Sequence, residues 1–101
     1  MKWTITNNKG LLYPTTILVE GNDIDDMEKN ITLKLAQKGW KREDVIVRNS
    51  DFVYQITASE GFLELEFLIE GQTTDECQKK LNKILQAMNL SPRNIKVKKL
   101  K

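Results

Sequence analysis

The second half of the chain repeats the first at an offset of 50 residues. Residues 17–49 align with residues 67–99 without a gap, and seven of the 33 positions are identical. Ordinary composition would give about two identities by chance. The identical pairs are Leu18/Leu68, Glu20/Glu70, Gly21/Gly71, Asp25/Asp75, Lys29/Lys79, Leu35/Leu85 and Val47/Val97. A repeat of this length predicts one small structural unit built twice.

Each repeat carries the signals of one helix. Asn22 or Asp23 can cap the first helix, and Thr73-Thr74-Asp75-Glu76 has the pattern of a capping box at the start of the second. Both helices should end at residues that tolerate a left-handed backbone, Gly39 and Asn89. Helical spacing predicts two buried apolar stripes, Ile24, Met27, Ile31 and Leu35 in the first helix and Cys77, Leu81, Ile84, Leu85 and Met88 in the second.

Alternating residues predict strands on both sides of each helix. In the second repeat an inner set alternates with an outer acidic set, namely Leu63, Leu65, Phe67 and Ile69 against Glu64, Glu66 and Glu70. Gly10 and Gly61 are expected to close two hairpins at positive φ.

The order of elements in each repeat is therefore strand, strand, helix, strand. This order predicts an α+β fold, a tandem ββαβ-ββαβ repeat with pseudo-twofold symmetry. We expect a ferredoxin-like two-layer sandwich with both helices on one face of a mainly antiparallel sheet. Residues 1–101 should form a single domain made of repeats 1–50 and 51–101.

Composition excludes several classes of protein. The chain has no histidine and one cysteine, so histidine-based triads, histidine-ligated metals and an internal disulfide are absent. Its longest aliphatic or aromatic runs have three residues, too short to span a membrane. Because MKWTITNNKG lacks the apolar stretch of a signal peptide, we expect a cytoplasmic protein without membrane association. We also expect no cofactor and no metal.

The residues that are candidates for catalysis have simpler interpretations. Glu20 and Glu70 occupy equivalent positions, but antiparallel central strands would place them at opposite ends of a sheet, too far apart to act together. Cys77 falls on the buried stripe of the second helix, which favours core packing over reactivity. Gly21 and Gly71 lack a phosphate-loop pattern and suit tight strand-to-helix turns. The sequence therefore predicts that the protein is not an enzyme.

Basic residues gather near the end of each repeat, although the net charge of the chain is only +2. The candidate nucleic-acid contacts are Lys41, Arg42, Arg48, Arg93, Lys96 and Lys98. Residues 60–67 lack the RNA-recognition pattern, since Glu60, Leu63 and Glu64 depart from it. A basic edge strand is also a common protection against edge-to-edge aggregation, and this interpretation is favoured.

Four apolar residues are expected on the sheet face away from the helices: Leu12, Leu18, Phe62 and Leu68. Such a face is usually covered by a partner protein or by a second copy of the chain. The leading hypothesis is a non-catalytic adaptor or inhibitor module that acts through protein–protein contact, as a homodimer on this face. A nucleic-acid-binding protein is the alternative, and a small enzyme without a recognisable motif comes third. Size and composition favour a bacterium, an archaeon or a phage as the source.

Overall fold

The same order of elements occurs in both halves of the chain. The computed structural model describes residues 1–9 and 14–101, so Gly10 and Leu12, named above, lie outside the described residues. The chain divides into two compact units, Met1–Asn49 and Ser50–Lys101. The first contains β1 (Lys2–Asn7), β2 (Thr15–Glu20), α1 (Ile24–Lys38), a 3₁₀ turn (Arg42–Asp44) and β3 (Val45–Arg48). The second contains β4 (Phe52–Glu60), β5 (Leu63–Gly71), α2 (Thr74–Ala87), a 3₁₀ turn (Pro92–Asn94) and β6 (Ile95–Lys99).

Each unit has its own three-stranded antiparallel sheet. The strand orders are β2-β1-β3 and β5-β4-β6, so the first strand of each unit lies in the middle. In the first sheet Ile5 lies opposite Ile17 on β2 and opposite Val47 on β3. In the second sheet Ile56 takes the equivalent place, opposite Phe67 on β5 and Val97 on β6.

The two helices begin with the same pair of hydrogen bonds. Asp23 caps α1 by accepting from the Asp26 backbone N–H at 2.8 Å, and Thr73 caps α2 by accepting from the Glu76 N–H at 3.1 Å. In return, Asp26 Oδ2 and Glu76 Oε2 each accept from the backbone N–H one residue before the cap, at 2.8 Å. The two cap bonds satisfy donors that the first turn of a helix leaves unpaired, and the two returned bonds fix the residue before each cap.

The helix ends also match. Gly39 and Asn89 have φ angles of 68° and 54°, the left-handed conformation predicted for both positions. The next residue then closes the cap, because the Trp40 N–H donates to Leu35 O at 3.0 Å and the Leu90 N–H donates to Leu85 O at 2.9 Å.

Each helix buries one stripe of side chains. In the first unit Met27, Ile31 and Leu35 join Ile5 and Val19 in a buried cluster. In the second unit α2 buries Cys77, Leu81, Ile84 and Leu85, and its sheet buries Ile56, Ala58 and Ile69. Two stripe predictions need correction, because Ile24 is 56% exposed in the first turn of α1 and Met88 is half-buried at the end of α2.

The α+β class predicted from the sequence is confirmed. The described strands pair as two three-stranded sheets, whereas the prediction has one sheet. The third strand of each unit pairs with the first strand of the same unit, β3 with β1 and β6 with β4. All three strands of each sheet therefore come from one unit. The ferredoxin-like arrangement of the two repeats stays a prediction.

Candidate interaction surfaces

One face of the second sheet looks away from α2, and we call it the outer face. Ile56 and Ala58 of the central strand β4 are buried in the core of this unit. Because successive side chains of a strand point to opposite faces, Gln55, Thr57 and Ser59 of β4 point to the outer face, and so does Val53, which is fully buried at the start of the strand.

The strand register sets charged residues beside this central polar row. Thr57 lies opposite Glu66 on β5 and opposite Lys96 on β6. Gln55 lies opposite Leu68 and Lys98, and Ser59 lies opposite Glu64. The four charged side chains are exposed, whereas Gln55, Thr57 and Leu68 are half-buried.

The outer face is therefore polarised across its width. We call Glu64 and Glu66 on β5 the acidic stripe, and Lys96 and Lys98 on β6 the basic stripe. Both strands are edges of the sheet, with β4 between them, so the stripes lie about 10 Å apart. That separation is close to the Debye length at moderate salt, so the stripes form a dipole that a facing surface can sense.

The residues of the predicted partner face have different locations. Leu18 lies opposite Thr4 and Leu68 opposite Gln55, so strand alternation puts each on the sheet face away from its helix, and each is half-buried. Phe62 is instead in the turn between β4 and β5, beyond both strands, and is fully exposed. It therefore does not share the sheet face with Leu68. The sequence signal for this position is Gly61, which is expected to close the hairpin and could have placed Phe62 in the turn. The structure gives Gly61 a φ of 61°, as such a turn requires.

The predicted basic contacts are also distributed. In the first unit Lys41 is exposed, Arg42 pairs with Glu28 at 2.9 Å, and Arg48 is half-buried at the end of β3. In the second unit Arg93 is exposed in the 3₁₀ turn before β6, and Lys96 and Lys98 form the basic stripe. The alternation of outward lysines with Ile95 and Val97 agrees with the register, although Val97 is 55% exposed.

An aromatic pair near the basic strand is absent from the sequence prediction. Phe52 and Tyr54 of β4 stack with ring centroids 6.4 Å apart, and Lys99 Nζ lies 5.5 Å from the Phe52 centroid. The register places Lys99 opposite Tyr54. These residues lie on the face opposite the basic stripe, and both rings are half-buried. Their spacing of two residues on one strand is the signal that could have revealed the pair.

Glu70 is a buried carboxylate that the sequence prediction placed with the outer glutamates. It is 2% exposed, accepts from Ser50 Oγ and forms an ion pair with Lys80 Nζ. Lys80 also lies 3.5 Å from Glu76. Because the carboxylate is held by a hydroxyl and an ammonium group, its arrangement suits a structural role. The equivalent Glu20 is exposed, and the signal for the difference is Lys80, which stands where the first repeat has Asn30.

The remaining candidates show no catalytic arrangement among the described residues. Cys77 is 3% exposed in the core beside α2, as its position on the helical stripe predicts. Gly21 and Gly71 lie where each sheet approaches its helix closely. Within residues 1–9 and 14–101, no group of three or more acidic or cysteine residues could hold a metal ion.

Each unit also has a shallow groove. One, of about 390 Å³, lies between β2 and α1 and is lined by Leu18, Val19, Glu20, Asn30, Leu33, Lys34 and Gln37. The other, of about 320 Å³, lies at the end of α2 and is lined by Asn82, Leu85, Gln86, Asn89, Leu90 and Pro92. Neither contains a nucleophile with an adjacent base, so the grooves offer binding surface and no evident chemistry.

Comparison with known proteins gives no further assignment. Neither described helix is long and apolar enough to cross a membrane. No protein-family model, no curated protein and no solved structure matches the chain.

Proposed function

We propose that the chain is a non-catalytic binding module, an adaptor or inhibitor, that acts through protein–protein contact and associates with itself. The observation that carries the proposal is the outer face of the second sheet, with its acidic stripe, its basic stripe and a polar row between them. Fixed charges of both signs on a sheet face suit recognition of another folded surface, because they set orientation and reject wrong partners. The ferredoxin-like arrangement and the cytoplasmic location predicted from the sequence belong to the same proposal.

The exposed turn of the β4–β5 hairpin supports protein contact as well. Phe62 is fully exposed and Leu63 is 67% exposed, so an aromatic ring and an aliphatic side chain stand together in solvent. Aromatic residues are enriched among the anchors of protein interfaces. Glu60 and Glu64 flank the turn, and their negative charge disfavours both an anionic membrane and a nucleic acid.

The proposal is tested by affinity capture from cells that make the protein, followed by reconstitution with purified components. We expect a saturable complex, with a second copy or with another protein, that Glu66→Lys and Lys96→Glu each weaken at least tenfold. Glu43→Lys and Lys83→Glu are the matched controls, because both residues are exposed and neither belongs to the second sheet. A saturable complex that neither outer-face variant weakens would contradict the proposal, and so would the absence of any complex.

Nucleic-acid binding is the second candidate, favoured by the exposed lysines of β6, Lys96, Lys98 and Lys99. Proteins that bind single strands combine such a basic strand with exposed aromatic rings, but the rings of Phe52 and Tyr54 are half-buried on the face opposite Lys96 and Lys98. Against it, the acidic stripe lies about 10 Å from the basic stripe, within reach of the phosphates that the lysines would hold.

This candidate is tested with a fluorescent single-stranded oligonucleotide. Binding through the basic strand predicts an affinity that falls steeply with salt and is abolished by Lys96→Glu combined with Lys98→Glu. Lys79→Glu combined with Lys83→Glu changes the net charge equally on α2 and should leave most of the affinity. If the chain shows no salt-dependent retention on heparin, the candidate is wrong.

A further inference from the structure

We infer that the outer face of the second sheet binds the same face of a second copy, with a twofold axis that runs parallel to the strands. This inference rests on the proposed function, since it names the partner of the same surface. It is carried by the register, which places the acidic stripe on one edge strand and the basic stripe on the other.

The direction of the axis follows from the charges. Two sheets that stack face to face lie about 10 Å apart, and a symmetric pair needs a twofold axis midway between them. An axis parallel to the strands brings β5 of each copy over β6 of the other, so acidic faces basic twice. An axis across the strands would bring β5 over β5 and β6 over β6, so like charges would face each other. Charge complementarity therefore selects the parallel axis.

Pairing of the sheets at their edges is disfavoured by the same charges. Joining β6 to β6 of a second copy would set lysines of the basic stripe side by side, and joining β5 to β5 would do so with glutamates. Like charges on neighbouring strands are destabilising, and exposed lysines on an edge strand commonly prevent this kind of association. Face-to-face stacking is the arrangement that relieves the repulsion.

The residues match along the strands when the row of Thr57 faces its own copy. Glu66 of one copy then faces Lys96 of the other, because both lie opposite Thr57. Leu68 and Lys98 both lie opposite Gln55, so Leu68 faces the aliphatic stem of Lys98. A lysine stem can cover apolar surface while its ammonium group stays in water.

The size of the face sets the expected strength of the dimer. The rows of Gln55, Thr57 and Ser59 span roughly 14 Å along the strands, and the edge strands lie about 10 Å apart. The footprint is on the order of a few hundred Å² per copy, below the ~800 Å² per partner of a standard interface. We therefore expect a weak dimer, with a dissociation constant on the order of 0.1 mM, that salt weakens further.

The experiment is sedimentation velocity of the full chain from 10 µM to 1 mM (about a hundredfold range around the expected constant), at about 0.1 M and 1 M salt. Three variants are compared with the wild type. The first reverses the acidic stripe (Glu64→Lys, Glu66→Lys), the second reverses the basic stripe (Lys96→Glu, Lys98→Glu), and the third combines all four changes. We expect the dissociation constant of the dimer to rise at least tenfold in each of the first two variants, since like charges then face each other.

The combined variant gives the sharpest result. It exchanges the two stripes and leaves the net charge at +2, so the parallel axis predicts that the dimer returns. A mixture of the first two variants should also associate, as a heterodimer. Glu43→Lys and Lys83→Glu control for net charge and should leave the dimer unchanged, and circular dichroism checks that every variant is folded.

Three outcomes overturn the inference, and the first two separate it from the proposed function. If the wild type stays monomeric to 1 mM while the stripe variants weaken a complex with another protein, the second copy is the wrong partner; the self-association in the proposed function then fails, and the binding of another protein stands. If the wild type dimerises but the combined variant does not, the parallel axis is wrong. If the variants alter neither self-association nor any other complex, the inference and the proposed function both fail.

Discussion

At the scale of single residues, the clearest departure from the repeat is Glu70. Its counterpart Glu20 is exposed, whereas Glu70 is buried and held by Ser50 and Lys80. At the matching helix position the first repeat has Asn30, whose side-chain N–H₂ donates to the Glu20 backbone carbonyl at 2.6 Å. The position on the helix thus contacts the end of the same strand in both units, but only the second contact compensates a buried charge.

Loss of Lys80 should therefore destabilise the protein. Lys80→Met removes the ammonium group, so the buried Glu70 carboxylate loses its ion-pair partner. The Lys80 side chain is 37% exposed, so we expect a loss of about 1–3 kcal/mol in the free energy of unfolding, less than for a fully buried pair. Urea unfolding followed by circular dichroism measures it. Lys79→Met, at an exposed neighbouring position, should change stability by less than about 0.5 kcal/mol, and equal losses in the two variants would argue against the ion pair.

The glycine before each helix is a second residue-scale constraint. A Cβ added at Gly21 would lie 2.8 Å from the Met27 backbone nitrogen and 2.9 Å from its Cα. Backbone atoms cannot turn aside, so we expect Gly21→Ala to lower the free energy of unfolding by about 1–3 kcal/mol. At Gly71 the closest atom is the Cys77 side-chain sulfur, at 3.0 Å.

Gly71→Ala is therefore the comparison for Gly21→Ala. Side chains can rotate away from an added methyl group, so the loss at Gly71 should be the smaller of the two. Urea midpoints of the two variants decide the order. A larger loss at Gly71 would mean that the close approach of strand and helix is looser in the first unit than the structure has it.

At the scale of elements, the helix ends repeat most faithfully. Both helices begin with a side-chain cap and a returned carboxylate bond, and both end at a left-handed residue. These signals are local: a cap needs only its own residue and the residues three or four positions along the chain. For this reason the sequence could predict Thr73 and Glu76 as a capping box and Gly39 and Asn89 as helix ends.

The cap of α2 gives a matched pair of variants. Thr73→Ala removes the hydroxyl that accepts from the Glu76 N–H, and we expect a loss of about 1 kcal/mol in the free energy of unfolding. Thr74→Ala changes the same residue type one position later, inside the helix, where alanine is the better helix former. It should therefore leave stability equal or slightly higher. If both variants cost the same in thermal and urea unfolding, the cap contributes nothing.

Features that depend on contacts between distant residues were harder to predict. Alternation placed Glu70 with Glu64 and Glu66, and the register agrees, but its burial depends on Ser50 and Lys80, which are 20 and 10 residues away. Alternation also predicts that Phe62 belongs to the sheet, because a repeat of two residues does not indicate where a strand ends. The separate sheets follow from pairing between strands about 40 residues apart, such as β1 with β3, and no local signal specifies that choice.

At the scale of the whole molecule, the charged outer face belongs to the second unit, and the described strands of the first unit have no equivalent pair of stripes. The basic stripe of the second unit replaces Ile46 and Arg48 of the first by Lys96 and Lys98, and the acidic stripe stands where the first unit has Pro14 and Thr16. The alignment thus conceals the main difference between the units, which lies in the charges of their outer strands. The proposed binding site follows from where the repeats diverge.

The single domain of residues 1–101 also belongs to this scale, and it stays a prediction with a direct test. Both tryptophans, Trp3 and Trp40, lie in the first unit, and Cys77 lies buried in the second. A unit of roughly 50 residues buries too small a fraction of its surface to be stable by a wide margin. We therefore expect tryptophan fluorescence and Cys77 labelling to report one coincident urea transition, as a single cooperative domain requires.

Matched core variants make the test decisive. Ile5 and Ile56 occupy equivalent central positions, and both are fully buried. Ile5→Val and Ile56→Val should each cost about 0.5–1.5 kcal/mol. In a single domain each variant lowers both midpoints by the same amount, whichever unit carries it, because neither unit then unfolds without the other. In two independent domains Ile5→Val would shift only the tryptophan midpoint and Ile56→Val only the cysteine midpoint, and the predicted single domain would be wrong.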